Sequence, residues 1–220
     1  MENKYRSHIT QYVIAEKNLP LETTIGEACR AALQPTGDKI MEAVKRGIIE
    51  DNSETTQFLG RKPYPIKFAF GTEAELEAQS RNGKGQPIYE STMDGKLTAW
   101  GILDEELRVI VNEALKDDKG KAVVQACHAA VAPVTVWIKK KEKEEWGGVW
   151  HDEELQWIYG TFTKDVREAS RDQIGEVGEQ CFAAGIAYSM RTESVWCMAT
   201  QPINKGRTPP GIKKLRRYGS

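Results

Sequence analysis

Apolar and polar residues along the chain follow an order typical of strand, helix, strand, helix, strand, strand, and this order occurs twice. β-rich runs at 12–16 and 108–112 each lead into a helical stretch. The two helical stretches share a nine-residue pattern, EACRAALQP at 27–35 and QACHAAVAP at 125–133, whose starts are 98 positions apart. A repeat with this order of elements predicts a tandem duplication.

The later elements of the two halves also correspond. Residues 66–70 and 158–162 are both strand-like, and each run precedes a charged helical stretch and two short strands. We therefore expect an α/β fold of two repeated three-layer α/β/α units, each a small mixed sheet with helices on both faces. The first unit would comprise residues 1–104 and the second residues 105–220.

Both repeated helices carry a proline at the same place, Pro35 and Pro133. Because proline removes a backbone hydrogen bond and clashes with the preceding turn, each helix is expected to kink or stop there. In the first half a second helical piece should follow and end at Gly47, which suits a C-terminal cap.

Composition narrows the class of protein. The 220 residues are 40% hydrophobic and 29% charged, as in ordinary globular proteins, and the net charge of −1 argues against a globally basic nucleic-acid binder. No apolar run approaches the roughly 20 residues of a membrane helix, and the start has no signal-peptide core, so we expect a cytoplasmic protein without a membrane partner. The four cysteines show no metal-binding spacing, so we expect them reduced and buried, and we predict no metal or cofactor.

The second repeated helix has a polar stripe. Lys121, Gln125 and His128 are spaced i, i+4, i+7 and lie within roughly 60° of one another. Lys121 is at the start of the helix, where a phosphate is favoured, and His128 could transfer a proton near neutral pH. The alternative is a solvated lysine and a hydrogen-bonded boundary histidine. At the matching positions the first copy carries Thr23, Glu27 and Arg30.

The stretch GKAVVQACHAA at 120–130 resembles the GK-x-x-x-Q-x-x-HAA signature of the type-II peptidyl-tRNA hydrolase family. The resemblance covers about residues 106–218, and the first half is similar to a more distant copy. It implies hydrolysis of the ester between a peptide and the tRNA 3′-ribose. In that reaction Lys121 would contact phosphate or the oxyanion, Gln125 would position the reacting groups, and His128 would transfer a proton or form a hydrogen bond. Contacts with tRNA are implied for Lys119, Lys213, Lys214, Arg216 and Arg217.

One departure from the family keeps other functions open. The family's Asp-x-Gly-[Arg/Lys]-Thr stretch after its third strand is replaced by SMRTESV at 189–195, which has no aspartate. In this respect the chain is closest to the divergent peptidyl-tRNA hydrolase domain-containing branch. One alternative is a catalytically inactive tRNA- or protein-binding module on the same fold. Another is an interaction scaffold whose contact surface is the tryptophan-containing segment 146–157, which has no evident counterpart in the first half.

Family members of this type commonly pair as homodimers. By this analogy with the family, the two copies are expected to form an intramolecular pseudo-dimer, with further dimerisation left open.

Overall fold

The predicted order of elements is present in both halves of the chain. The computed structural model describes residues 9–81, 88–93, 96–103, 106–139, 149–160, 162–192 and 195–220. The helices are α1 (Leu21–Lys45), α2 (Ser53–Gly60), α3 (Glu73–Arg81), α4 (Lys119–Lys139), α5 (Asp152–Tyr159), α6 (Arg171–Ala183) and α7 (Pro210–Lys214). The strands are β1 (Ile9–Glu16), β2 (Ile66–Gly71), β3 (Ile88–Met93), β4 (Lys96–Leu103), β5 (Leu107–Asn112), β6 (Lys164–Ala169), β7 (Tyr188–Arg191), β8 (Cys197–Thr200), β9 (Ile203–Asn204) and β10 (Arg216–Arg217). Each half has one additional short helix, α2 or α5, before its second strand.

The two central helices continue through their prolines. Helix α1 includes Pro35 and α4 includes Pro133, so of the two expected outcomes, a kink or a stop, the stop does not occur. Residues on both sides of each proline are buried, and this packing outweighs the single hydrogen bond that a proline removes. The end of α1 agrees with the prediction, since Gly47 follows it with a φ of +69°.

The prediction of a strand at residues 158–162 is wrong. Residues up to Tyr159 belong to α5, and the strand begins only at Lys164. The acidic first turn of this segment favours a helix start, which the apolar pattern alone did not show. Trp150 and Trp157 on this segment are buried, so they belong to the core and do not form a contact surface. Trp146 lies outside the described residues.

The aromatic residues of α5 do have a counterpart in the first half. Trp157 packs against Phe162 with ring centroids 4.1 Å apart, and Phe58 of α2 packs in the same way against Tyr64 at 5.6 Å. Both pairs connect a short helix to the residues just before the strand that follows it. The expectation that this segment lacks a counterpart is therefore corrected.

The strands form two mixed sheets with the same internal order. Sheet I contains β6-β1-β8-β7, with β10 beyond β6 and β9 paired to one end of β1. Sheet II contains β2-β5-β4-β3. In each sheet the first two strands of this order, β6 and β1 or β2 and β5, are parallel. The remaining neighbouring strands pair antiparallel. The fold class expected from the sequence is confirmed.

The sheets lie on either side of a central helical layer. Helix α1 packs on sheet I, α4 packs on sheet II, and the two helices contact each other. On β1, Val13 and Ala15 face this central layer, whereas Tyr12 and Ile14 face the opposite side with α6 and α7. Helix α3 covers the outer face of sheet II. Each sheet therefore has helices on both faces.

Each sheet combines strands from both halves. Sheet I takes β1 from the first half and its other strands from the second half, whereas sheet II takes β5 from the second half and its other strands from the first. The expectation that each half forms its own sheet is therefore wrong. The residue pattern could not show this, because exchanging equivalent elements preserves the contacts within each unit. The boundary between residues 104 and 105 stays a prediction about the sequence repeat.

Candidate functional site on helix α4

The loop that leads into α4 is tied to the neighbouring strand. Asn112, at the end of β5, accepts a hydrogen bond from the Ala114 N–H at 3.0 Å. Its Nδ2 donates to the Leu97 carbonyl of β4, also at 3.0 Å. A short 3-10 turn at Glu113–Leu115 follows. These bonds fix the start of α4 relative to β4.

The first turn of α4 is in contact with the carboxylate of Asp118, which directly precedes the helix. Asp118 Oδ1 accepts the Lys121 N–H at 3.1 Å, and Asp118 Oδ2 lies 2.6 Å from Lys121 Nζ. Hydrogen bonds from Lys121 lower the pKa of Asp118. The position expected to favour a phosphate therefore carries an ion pair. Both side chains are about half exposed, so solvent weakens the pair and an incoming anion can compete for Lys121.

Gln125 lies one turn further along α4 and is buried against sheet II. Its Oε1 accepts a hydrogen bond of 2.9 Å from the Thr98 hydroxyl on β4. Thr98 is itself buried and belongs to the first half of the chain. Glycine at position 101 lets α4 lie this close to β4, since a Cβ there would be 2.0 Å from the Ala129 carbonyl oxygen.

His128 is enclosed at the opposite end of the stripe. Its ring packs edge-on against Phe162 with centroids 5.7 Å apart, and Nε2 is buried without a hydrogen-bond partner among the described residues. Burial, assisted by the nearby Lys164 amine, holds the pKa of His128 well below its ordinary value. The imidazole is therefore neutral, and it is not brought together with the exposed Lys121.

Sequence reasoning missed a buried lysine beside His128. Lys164 Nζ lies 3.7 Å from the centroid of the Phe162 ring and 4.6 Å from that of Trp157, and it donates to the Phe162 carbonyl at 3.4 Å. No carboxylate pairs with it in the described part of the chain. Burial holds the pKa of Lys164 well below the ordinary lysine value. The pattern KDVREA gave no signal, because lysine at a strand start is usually exposed.

The matching face of α1 is closed by ion pairs. Glu27 lies 2.9 Å from Arg30 and 3.5 Å from Arg191 of β7. Arg30 Nε also donates to the Tyr64 carbonyl at 3.2 Å. The residues of α1 at the positions that match Gln125 and His128 thus neutralise one another.

The basic residues predicted to bind tRNA are exposed, and some of them are close together. The C-terminal segment packs closely against the start of α4. Gly120 allows this approach, since a Cβ at this position would lie only 2.6 Å from the Tyr218 carbonyl oxygen. Tyr218 is anchored there by hydrogen bonds to Thr24 and Val166. This contact brings Lys119 near strand β10. Lys213 and Lys214 lie on α7, which packs against α6. The exposed basic residues are Lys119, Lys213, Lys214, Arg216 and Arg217.

The strand residue that contacts Gln125, Thr98, comes from the first half. Ser189, at the start of the SMRTESV stretch, donates to the Ala31 carbonyl at 2.7 Å and so contacts α1. The sequence that joins β3 to β4 of sheet II and begins β4 reads DGKLT at 94–98, and it contains an aspartate, a glycine, a lysine and a threonine. Asp94 and Gly95 lie outside the described residues. This stretch was a sequence signal for Thr98, but it occurs in the half where the site was not expected.

Other expectations concern the cysteines, membranes and metals. All four cysteines are free and buried, as predicted. Within the described ranges, no helix has the length and apolar character needed to cross a membrane. The same ranges contain no cluster of histidine, cysteine or acidic residues suited to a metal ion.

The two sheets, each with helices on both faces, define a mixed α/β protein with a polar site on a central helix. The family model described as Peptidyl-tRNA hydrolase PTH2 matches residues 106–218, which is more than half of the chain. The chain therefore belongs to the peptidyl-tRNA hydrolase PTH2 family, and the resemblance expected from its sequence is confirmed. Searches of curated proteins and of solved structures give no match.

Proposed function

We propose that the protein hydrolyses the ester between a peptide and the 3′-ribose of tRNA, using the N-terminal part of α4. The observation that carries this proposal is the hydrogen bond from Thr98 to Gln125, one helical turn from the exposed Lys121. It supports a preorganised polar site, because the amide is held in place before substrate arrives. Family membership supplies the reaction class.

Each side chain has a role that follows from its position. Lys121 can exchange Asp118 for a phosphate or a developing oxyanion, because its ion pair is half exposed. The bond to Thr98 fixes the orientation of the Gln125 amide, so we assign Gln125 the positioning of the ester beside Lys121. We assign His128 a packing role against Phe162, because its Nε2 is enclosed.

The exposed basic residues supply contacts to the tRNA backbone in this proposal. Lys119, Arg216 and Arg217 would bind phosphates near the site, and Lys213 and Lys214 would bind further along the molecule. Each phosphate contact releases counterions, so binding should weaken as salt concentration rises.

We also propose that the chain is a tandem duplication forming an intramolecular pseudo-dimer. The matching strand orders of the sheets and the two equivalent aromatic pairs support this. In this arrangement each copy contributes its first strand and helix to the sheet of the other.

Hydrolysis of a peptidyl-tRNA tests the function. Lys121→Ala and Gln125→Ala should each lower kcat/KM about 100-fold, the usual cost of losing one oxyanion donor. Thr23→Ala at the position matching Lys121, and Gln34→Ala on the exposed part of α1, should retain wild-type activity. Equal rates in all five proteins would overturn the assignment.

The second candidate function is tRNA binding without hydrolysis. The ion pair between Lys121 and Asp118 and the buried Nε2 of His128 favour it. It predicts salt-sensitive tRNA binding by the wild type, with no turnover at any substrate concentration.

A further inference from the structure

Corresponding edges of the two sheets differ in how they are covered. In sheet I, β6 pairs with β1 on one side and with the C-terminal strand β10 on the other. In sheet II the corresponding strand is β2, which pairs with β5 on one side. Within the described ranges, no strand lies on the other side of β2. An edge of this kind presents a row of backbone groups that can pair with a further strand.

Alternate residues of β2 direct their backbone groups to this outer side. The Leu107 N–H of β5 donates to the Pro65 carbonyl at 2.9 Å, so Pro65 and every second residue after it face β5. The residues between them face outwards. Ile66 shows this direction, because its carbonyl accepts a 3.5 Å hydrogen bond from Arg30 of α1. The outward residues of the strand are Ile66, Phe68 and Phe70.

The side chains along this edge are less buried than those of β6. Phe68 and Phe70 pack edge-on with ring centroids 5.0 Å apart, and both are only partly buried. The residue of β6 that corresponds to Phe68 is Val166, which is buried. The outward carbonyl of Val166 accepts the Tyr218 N–H at 3.0 Å. The C-terminal segment thus covers in sheet I what stays partly exposed in sheet II.

The pattern of β2 is complementary to itself. In an antiparallel pair of two β2 strands centred on Phe68, each outward residue faces an outward residue of the other copy, which gives about six backbone hydrogen bonds. Phe68 then lies opposite Phe68, and Ile66 lies opposite Phe70. Apolar cross-strand pairs of this kind stabilise a sheet. Lys67 lies opposite Ala69, so the one charged residue of β2 faces no like charge.

We propose that the outer edge of β2 pairs antiparallel with β2 of a second copy of this chain, so that two copies of sheet II form one continuous sheet. A two-fold axis requires the same surface on both copies, and the residues of β2 meet this requirement. The surface is separate from the contact between α1 and α4 inside the chain. It exists only in sheet II, since β10 covers the corresponding edge of sheet I. The inference goes beyond the proposed function and does not depend on hydrolysis.

Sedimentation velocity over a range of protein concentrations tests this pairing. The wild type should change from monomer to dimer as its concentration rises. Ala69→Glu places a carboxylate opposite Lys67 of the other copy, and the two-fold axis repeats this pair, so the dimer should become about fivefold tighter. Ala69→Lys places like charges there and should weaken the dimer about fivefold. Ala69 is exposed, so both variants should keep the fold.

Matched controls make the same charge changes on another element. Ala183→Glu and Ala183→Lys alter an exposed alanine of α6 and should leave the dimer affinity unchanged. A wild type that is monomeric at every concentration would overturn the second copy as the occupant of this edge, in favour of a strand from another protein. A dimer whose affinity responds equally to the charge at positions 69 and 183 would overturn β2 as the interface.

Phe68→Pro removes the central outward N–H and leaves the backbone bonds to β5 in place. It should abolish the dimer, while circular dichroism shows that the monomer is folded. A dimer that persists in folded Phe68→Pro would contradict the proposal. If this variant does not fold, the opposite effects of the two Ala69 variants decide the question.

Discussion

The two central helices share a nine-residue framework but have different polar faces. On α1, Glu27 is neutralised by Arg30 and by Arg191 from the second half. On α4, Gln125 is held by Thr98 from the first half, and Lys121 remains half exposed. Each helix is therefore completed by a strand of the opposite half, but only α4 keeps an accessible cation beside an oriented amide.

The comparison shows that the repeat and the functional site follow different boundaries. The nine-residue framework divides the sequence into two similar parts, whereas the sheets exchange their first strands. The candidate site on α4 therefore includes Thr98 of strand β4, which lies outside the matched range 106–218. A site that looks incomplete within the second half can be completed by the first.

The largest expected effect comes from separating the halves. A fragment of residues 105–220 lacks β1, the strand that joins β6 to β8 in sheet I. It should lose the cooperative fold altogether, which for single domains is worth about 5–15 kcal/mol. Circular dichroism and thermal unfolding of this fragment would measure the loss.

Co-expression with residues 1–104 is the matched control and should restore a folded complex. An isolated 105–220 fragment that unfolds cooperatively as a monomer would mean that β5 pairs with β6, and the exchange would then be contradicted.

A smaller effect on stability concerns the first position of the parallel strand, which is a buried lysine in sheet I and an apolar residue in sheet II. Lys164 lies opposite Gln11 in sheet I, and Ile66 lies opposite Leu107 in sheet II. Lys164→Ile should raise the free energy of unfolding by about 1–3 kcal/mol, because a buried amine is replaced by an apolar side chain. Lys67→Ile, at an exposed lysine, should change it little. Denaturant unfolding of the three proteins would measure the difference.

The increase in the free energy of unfolding that Lys164→Ile causes should depend on pH. Burial lowers the pKa of Lys164 in the folded state, whereas the unfolded chain keeps the ordinary lysine value of about 10.4. The unfolded state therefore binds more protons, so raising the pH from neutral towards 10.4 stabilises the wild type relative to the variant. The difference in unfolding free energy should shrink over this range. A difference that is constant with pH would contradict a lowered pKa for the buried Lys164.

Much of the fold could be predicted from the sequence. The repeated framework and the strand runs indicated the order of elements, because side-chain periodicity is a local property. The exchange of β1 and β5 could not be predicted, since both pairings bury the same side chains. The helix at 152–159 was missed because its short apolar run fits either a strand or a helix.

The site was predictable only in part. The spacing of Lys121, Gln125 and His128 indicated one helical stripe, and the structure keeps them on α4. Their different environments could not be predicted, because Asp118, Thr98 and Phe162 approach the stripe from three separate elements. The roles of these residues stay proposals until activity is measured.

The central claim is that a strand of the first half completes the site on α4, and Thr98 tests it most directly. We predict that Thr98→Val lowers kcat for peptidyl-tRNA hydrolysis about tenfold with little change in KM, because Gln125 loses the donor that orients it. Thr98→Ser, which keeps the hydroxyl, should restore kcat. A Thr98→Val protein with the kcat of the wild type would contradict the claim.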